Sequence, residues 1–245
     1  MSTPAANPAT RPYGLGVVRS LMRRHFARPP GALVAQIALA DVTVLSELVG
    51  GMYTMNAGIR PLAAPALPLT GVVCTAKCPP GDNMGLVKAL TLVVPGDVLV
   101  VDAQGFAHWC LGGFQLLQHA RATRGLAGLV VNGAYRDVDA AQSAGFPIYG
   151  TGLAPYSGPK AGPFEVNVPV CCGGVVVQPG DVVSASRDGV VVVPQRSLSA
   201  VADALVQRAA QHPQQGDDVL RRVFELARSF DCDEVPDQGP STGRS

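Results

Sequence analysis

The stretch from Asp97 to Asn132 constrains the fold most. Asp97 to Asp102 is a Val/Leu run of strand length, followed by a loop holding Gly105, Gly112 and Gly113. Phe114 to Arg124 has a helical pattern, Gly125 stops it, and Leu126 to Asn132 is a second apolar strand. Strand, helix and strand within about 35 residues form a crossover that joins parallel strands, normally with a right-handed turn. Ligands of such sheets gather at the carboxyl ends of the strands. The sequence there is Asp102-Ala-Gln-Gly105 after the first strand and Gly133-Ala-Tyr-Arg136-Asp137 after the second.

The rest of the chain fits around this unit. Prolines at 4, 8, 12, 29 and 30 predict a flexible arm over residues 1–30. Leu33 to Val49 reads as one helix ended by Gly50-Gly51, and Leu69 to Lys77 as a strand. Pro79-Pro80-Gly81-Asp82 is a turn, with Asn83 placed to cap a helix running to Val93. A further helix is expected from Asp137 to before Gly145, and a short strand over Phe146 to Gly150. Three β segments, 174–178, 181–186 and 189–193, are punctuated by Pro179-Gly180 and Arg187-Asp188-Gly189. Leu198 to Gln211 and Asp217 to Arg228 are amphipathic helices. The expectation is a single α/β domain over residues 31–230 with a polar tail over 231–245.

Composition narrows the function classes. Apolar residues make up 47% of the 245 and charged residues 15%, enough for a large core without cross-links. The six cysteines form no CxxC pair and have no zinc spacing, so small buried thiols in a reducing compartment are expected. A net charge of +1 gives no reason to expect a nucleic-acid partner, and the basic cluster Arg19 to Arg28 reads as a solvated segment. The most apolar early run, Gly31 to Gly50, is interrupted by Gln36, Asp41 and Glu47 and is too short and polar to span a bilayer. With no signal-peptide pattern at the start, the expectation is a cytoplasmic protein without a membrane contact.

Arg136-Asp137 is the leading candidate for chemistry. An arginine before a helix start meets the positive end of the dipole, and a bound anion resolves that conflict. A guanidinium fork beside free backbone N–H groups suits a carboxylate. Asp137 is also a common type of helix N-cap, which remains open as its ordinary role. Gly112-Gly113 would let backbone amides approach an oxyanion, or is simply a loop. Asp82 and Asn83 read first as turn and cap, His108-Trp109 as a base and stacking face or a surface loop, and Glu165 and Asn167 as structural loop residues.

Several stretches taken together carry a family resemblance: CPPGDNMGLVKAL (78–90), VPGDVLVVDA (94–103), RGLAGLVVNGAYRDVDA (124–140), GFPIYGTG (145–152), EVNVPV (165–170) and GGVVVQPGDVVSASRDGVVVVP (173–194). From about Ser46 to Pro194 the chain resembles the 4-hydroxy-4-methyl-2-oxoglutarate aldolases and the related regulators of ribonuclease activity A. This group was once described as demethylmenaquinone methyltransferases. The resemblance implies a ββα sandwich related to swivelling domains, with an N-terminal helix and C-terminal helices added here. It implies homotrimers, or homohexamers built from them, with sites between subunits. It further implies Mg²⁺ or Mn²⁺ as cofactor and a small-molecule carboxylate such as pyruvate as ligand. On that basis Arg136 holds the substrate carboxylate and keto oxygen, and Asp137 ligates the metal. The turn Gly113, Phe114, Leu116 and Leu117 lines the substrate.

One departure is visible. The aldolases carry a Gly-Asp or Gly-Glu turn that falls here on Phe114-Gln115. Gln115 hydrogen-bonds but accepts no proton near neutral pH. Asp82 and Asp102 stand as compensating acids, and the glutamate that the family takes from a neighbouring subunit has no match. The implied activity is a metal-dependent lyase that cleaves a 4-hydroxy-2-oxo acid or decarboxylates oxaloacetate. The changed turn also allows a repurposed enzyme running another enolisation or isomerisation, and the family allows a non-catalytic regulator that binds an RNA-degrading enzyme.

Overall fold

A computed structural model describes residues 18–64, 68–211 and 216–231. The chain divides into two compact units, Met1–Ala204 and Leu205–Ser245. In chain order the elements are β1 (Leu21–Met22), α1 (Gly31–Ile37), α2 (Val42–Val49), β2 (Arg60–Ala63), β3 (Leu69–Lys77), α3 (Met84–Leu90) and β4 (Asp97–Asp102). There follow α4 (Phe114–Arg124), β5 (Gly128–Tyr135), α5 (Val138–Ser143), β6 (Ile148–Leu153), β7 (Glu165–Val166) and β8 (Val170–Cys172). Last come β9 (Val175–Val177), β10 (Val182–Ser186), β11 (Gly189–Val193), α6 (Leu198–Gln211) and α7 (Gly216–Ser229).

The crossover read from the sequence is present. β4 and β5 pair in parallel from Val98 opposite Gly128 to Asp102 opposite Asn132. Gly125 ends α4 in the left-handed conformation, where a Cβ would lie 2.8 Å from Pro95 Cα. β3, β4, β5 and β6 are mutually parallel neighbours, with β2 antiparallel on β6. On the other edge of β3, β10 pairs antiparallel with residues 69–72 and β7 with residues 76–77.

Side-chain parity builds two cores on this sheet. Leu99, Val101, Leu129 and Val131 face a layer with Leu86 of α3, Leu117 of α4 and Ala141 of α5. Val98, Val100 and Val130 face the opposite layer, with Cys172 of β8, Val175 of β9 and Val192 of β11. Because β4 is buried on both faces, it is a continuous apolar run rather than an alternating one. The arrangement is a ββα sandwich: α3, α4 and α5 on one face of the sheet, β segments on the other, with α2 against β10 and β11.

The structure departs from the sequence reading at several points. The helix read over Leu33 to Val49 is two, α1 and α2, bent by 111°. Asp41 adopts extended dihedrals between them, and its carbonyl accepts the Leu45 N–H at the start of α2. A short polar residue competes with helix continuation and favours such a position. The helix after Asn83 ends at Leu90, before Val93. β8 lacks a sequence signal because it is three residues long and follows Pro169. It alternates an exposed Cys171 with a buried Cys172, so Cys171 is not the buried thiol expected.

The arm is tied down from residue 21 onward. β1 pairs in parallel with β7, and Asn167 Nδ2 donates to the Arg23 carbonyl at 2.8 Å. The Arg28 guanidinium grips the buried Asp97 carboxylate through two hydrogen bonds, at 2.6 and 2.9 Å. Residues 1–17 of the expected arm and 232–245 of the expected tail lie outside the described residues. In the second unit α7 is amphipathic, with Val219, Val223 and Phe224 exposed. Among the described residues no single helix is long and apolar enough to cross a membrane.

Candidate functional site

The carboxyl end of β5 runs directly into the residues singled out by sequence. Tyr135, fully buried, donates its hydroxyl hydrogen bond to the Gly113 carbonyl at 3.1 Å and so ties the strand end to the start of α4. Burial pushes the Tyr135 phenol well above its usual range, and the hydroxyl stays protonated. Arg136 follows with its side chain 41% exposed, and its Nη1 donates to the Pro155 carbonyl at 2.8 Å. Its Nε is buried without a hydrogen-bond partner and lies 3.9 Å from Asp137 Oδ2.

Asp137 sits at the N-cap position of α5 but makes no side-chain hydrogen bond to that helix. Its backbone is left-handed (φ 61°, ψ 33°), a strained state for a residue with a Cβ. This turns the carboxylate towards the neighbouring helix, where Oδ2 accepts the Phe114 N–H at 3.2 Å. The anion therefore lies at the positive end of α4, an 11-residue helix. The ordinary role foreseen for Asp137, capping its own helix, is replaced by a contact across to α4. Gly113 is indispensable to this packing, since a Cβ there would stand 2.2 Å from Asp137 Oδ2 and 3.3 Å from Arg136 Nε.

The structure thus gathers Arg136, Asp137, Gly113 and the Phe114 main chain at one strand end. Gln115 is exposed on the first turn of α4, and Leu116 is half-buried. Leu117 is fully buried in the helix-side core, so its side chain does not line a ligand site as the resemblance implies. Phe114 is also a core side chain, its ring 5.7 Å from that of Phe146. The ring packs inward, into that core.

Neither acid proposed to stand in for the family carboxylate is placed to do so. Asp82 is fully buried, its Oδ1 taken by the Met84 N–H and its Oδ2 by the N–H groups of Ala161 and Gly162. It caps α3, the role the sequence reading gave to Asn83. Asp102 accepts the Gln104 N–H, and strand parity puts its side chain on the Val98/Val100 face, away from α4. Asn167 is buried and holds the Cys74 thiol and the Arg23 carbonyl, while Glu165 lies 4.0 Å from Lys77 Nζ. The parts played by Tyr135 and the Pro155 carbonyl carry no signal in the sequence. Tyr135 reads as a core residue beside Arg136, and the contact to Pro155 joins positions 19 residues apart.

The donor set decides which cation could fit. Among the described residues no three His, Cys, Asp or Glu side chains cluster as a metal site. Asp137, with its side chain 49% exposed, offers a single carboxylate. That suits a hard cation such as Mg²⁺ or Mn²⁺, which takes one or two carboxylates and completes its shell with water and substrate oxygens. It does not suit a structural zinc.

Fold and site together define an α/β sandwich with an arginine–aspartate pair at the carboxyl end of a parallel sheet. Residues 37–192 match the family described as RraA-like, Aldolase/RraA. A Halalkalibacterium halodurans protein provisionally named 4-hydroxy-4-methyl-2-oxoglutarate aldolase is 35% identical over 162 residues, 66% of this chain and 76% of the relative. Among solved structures, Streptomyces coelicolor RraAS2, an unusual member of the RNase ES inhibitor RraA family, aligns with a TM-score of 0.66 and 28% identity, covering 84% of this chain and 100% of that one. The RNA-processing inhibitor RraA from Thermus thermophilis aligns with a TM-score of 0.57 and 31% identity, over 63% and 93% of the two chains. The chain belongs to the RraA-like family.

Proposed function

We propose that this chain is a 2-oxo acid lyase in which decarboxylation is favoured over retro-aldol cleavage. The observation that carries the reading is the convergence of the Arg136 guanidinium and the Asp137 carboxylate on the start of α4. Arg136 Nε is buried without a hydrogen-bond partner, so the fold leaves one donor of this guanidinium unused. Arg136 would bind the carboxylate and the 2-oxo oxygen of the substrate. Asp137 would hold Mg²⁺ or Mn²⁺, which when bound supplies a Lewis acid beside the 2-oxo group. The Gly113 carbonyl, fixed by Tyr135, keeps the first turn of α4 in register with both.

The chemistry then turns on proton transfer. Cleaving a 4-hydroxy-2-oxo acid requires removal of the hydroxyl proton as the C–C bond breaks. Gln115 does not take it, and Asp82 and Asp102 lie elsewhere. Oxaloacetate loses neutral CO₂ without prior deprotonation. The bond electrons pass towards the 2-oxo oxygen, where Arg136 donates, and a proton from water completes pyruvate.

The test is pyruvate release with Mg²⁺ or Mn²⁺, from oxaloacetate and from a 4-hydroxy-2-oxo diacid. The spontaneous metal-promoted rate is subtracted with Asp137→Ala as the control protein. Turnover of the diacid at least as fast as that of oxaloacetate would refute the preference, and equal rates for both proteins would refute the site. A second reading, a regulator of an RNA-degrading enzyme, is favoured by what the Streptomyces and Thermus structures are named for. Co-purification with such an enzyme, unchanged by Asp137→Ala, would support it. A trimer or hexamer is part of the proposal, and light scattering that gives a monomer at micromolar concentration would count against it.

A further inference from the structure

The loop that carries the Arg136 contact also carries an aromatic surface that the lyase reading leaves unused. Pro155, whose carbonyl holds Arg136 Nη1, directly precedes Tyr156, whose ring is exposed. Consecutive Cα atoms are about 3.8 Å apart, so Tyr156 is next to the guanidinium anchor along the chain. The Tyr156 carbonyl accepts the Cys110 N–H at 2.7 Å, which docks it against the segment running from Trp109 to Gly113. Trp109 packs edge-on to Tyr156, with ring centroids 5.6 Å apart, and Phe106 packs edge-on behind Trp109 at 5.7 Å.

The indole is seated rather than loose. It lies against Gly81, where a Cβ would stand 2.6 Å from Trp109 Cε3, and against Gly158, where the same atom would be at 3.3 Å. Two backbone segments without side chains thus form its bed. Yet Tyr156 is 64% and Trp109 37% exposed. Rigid, exposed aromatics at the rim of a strand-end site mark a surface built to be covered. Arg136 is joined to this loop through the Pro155 carbonyl, which points to a molecule with an acidic group at one end and a flat apolar group at the other.

We propose that Trp109 and Tyr156 form a specificity shelf for the aryl or other flat apolar end of a 2-oxo acid whose carboxylate is held by Arg136. This rests on the carboxylate-site reading above and adds a ligand class: an aryl 2-oxo acid has no 4-carboxylate to lose, so it would occupy the site as a competing ligand and not as the molecule decarboxylated there.

The experiment is calorimetric titration of the full-length protein, in Mg²⁺, with pyruvate and with phenylpyruvate. Phenylpyruvate is expected to bind about tenfold or more tightly than pyruvate, in keeping with the gain from one aromatic contact. Tyr156→Ser and Trp109→Leu should erase that advantage and leave pyruvate affinity unchanged, while Arg136→Lys should weaken both ligands. Equal affinity of the parent for the two ligands, or an advantage that survives both variants, would overturn the shelf and leave the carboxylate site standing. Failure of both ligands to bind would overturn both. A change of oligomeric mass in Tyr156→Ser would identify the patch as a contact between copies of this chain and would also overturn it.

Discussion

Replacing Gly113 by alanine separates the site from the fold. Gly113 has φ −99° and ψ 163°, an extended conformation that alanine adopts freely, so no backbone strain arises. The new Cβ would fall 2.2 Å from Asp137 Oδ2, 3.4 Å from its Cγ and 3.3 Å from Arg136 Nε. An ordinary contact requires the carboxylate to retreat by roughly 1 Å, which breaks the 3.2 Å bond from the Phe114 N–H. Because Asp137 is half-exposed, water replaces that partner, and the stability lost is about 1 kcal/mol, near the ordinary net worth of one hydrogen bond. For a domain of this size that is about 2–4 °C in Tm. Activity is far more sensitive, since a misplacement of about 1 Å in a catalytic constellation costs on the order of 10²-fold. Scanning calorimetry and metal-dependent pyruvate release from oxaloacetate measure the two effects side by side. Parent-like kcat/KM in Gly113→Ala would refute the claim that the Arg136–Asp137 geometry matters. A collapse of Tm by more than about 10 °C would show that the contact is structural first.

Four further outcomes are expected. Asp137→Asn, which tolerates the left-handed backbone and still accepts the Phe114 N–H, should keep Tm within about 3 °C and lose metal-dependent turnover, whereas Asp137→Ala loses both turnover and about 1–2 kcal/mol of stability. Gln115→Glu, exposed at the positive end of α4, should raise diacid cleavage at least about tenfold, while Phe114→Gly should cost about 3–5 kcal/mol in urea denaturation because it empties a core position. Arg28→Ala strands the buried Asp97 carboxylate and should cost about 2–3 kcal/mol by the same measure. This is less than a fully buried pair would lose, since Arg28 is 36% exposed and Asp97 keeps the Val94 N–H. Burial pushes the Cys74 and Cys78 thiols up to about 12, so at pH 8 in the native state both stay protonated and resist a thiol reagent that labels exposed Cys171, as peptide mass mapping would show.

Legibility in the sequence followed the range of the interactions. The β4–α4–β5 unit was readable because its period, its stop at Gly125 and its two-sided apolar strands are local properties. The exact span of β3 was readable for the same reason. The break between α1 and α2 was not, because Asp41 takes extended dihedrals inside a run whose apolar period continues across it. The order of the sheet edge was hidden as well, since β7 and β10 share one side of β3 although more than a hundred residues separate β3 from β10. In the site, residue types pointed to Arg136 and Asp137, but the direction of each side chain came from elsewhere. The left-handed turn at Asp137 and the Pro155 carbonyl decide where carboxylate and guanidinium point, and neither leaves a pattern in the sequence.

The proton inventory around this site explains why two reactions on one scaffold should diverge. Tyr135 is buried and holds its proton, Asp82 has both oxygens committed to backbone donors, and Asp102 projects from the other face of the sheet. Gln115 offers an amide where the resemblance places an acid. What remains beside Arg136 is the Asp137 carboxylate, and metal binding would occupy it. A reaction that begins by removing a proton therefore has no acceptor from this chain among these groups, while one that begins by expelling CO₂ requires none. The ratio of decarboxylation to retro-aldol rates reports this single deficit, because substrate anchoring by Arg136 and cation binding by Asp137 enter both rates and cancel. Gln115→Glu should move the ratio and Arg136→Lys, which weakens anchoring in both reactions, should not. A ratio that moves with Arg136→Lys instead would place the discrimination in substrate anchoring and reverse the assignment.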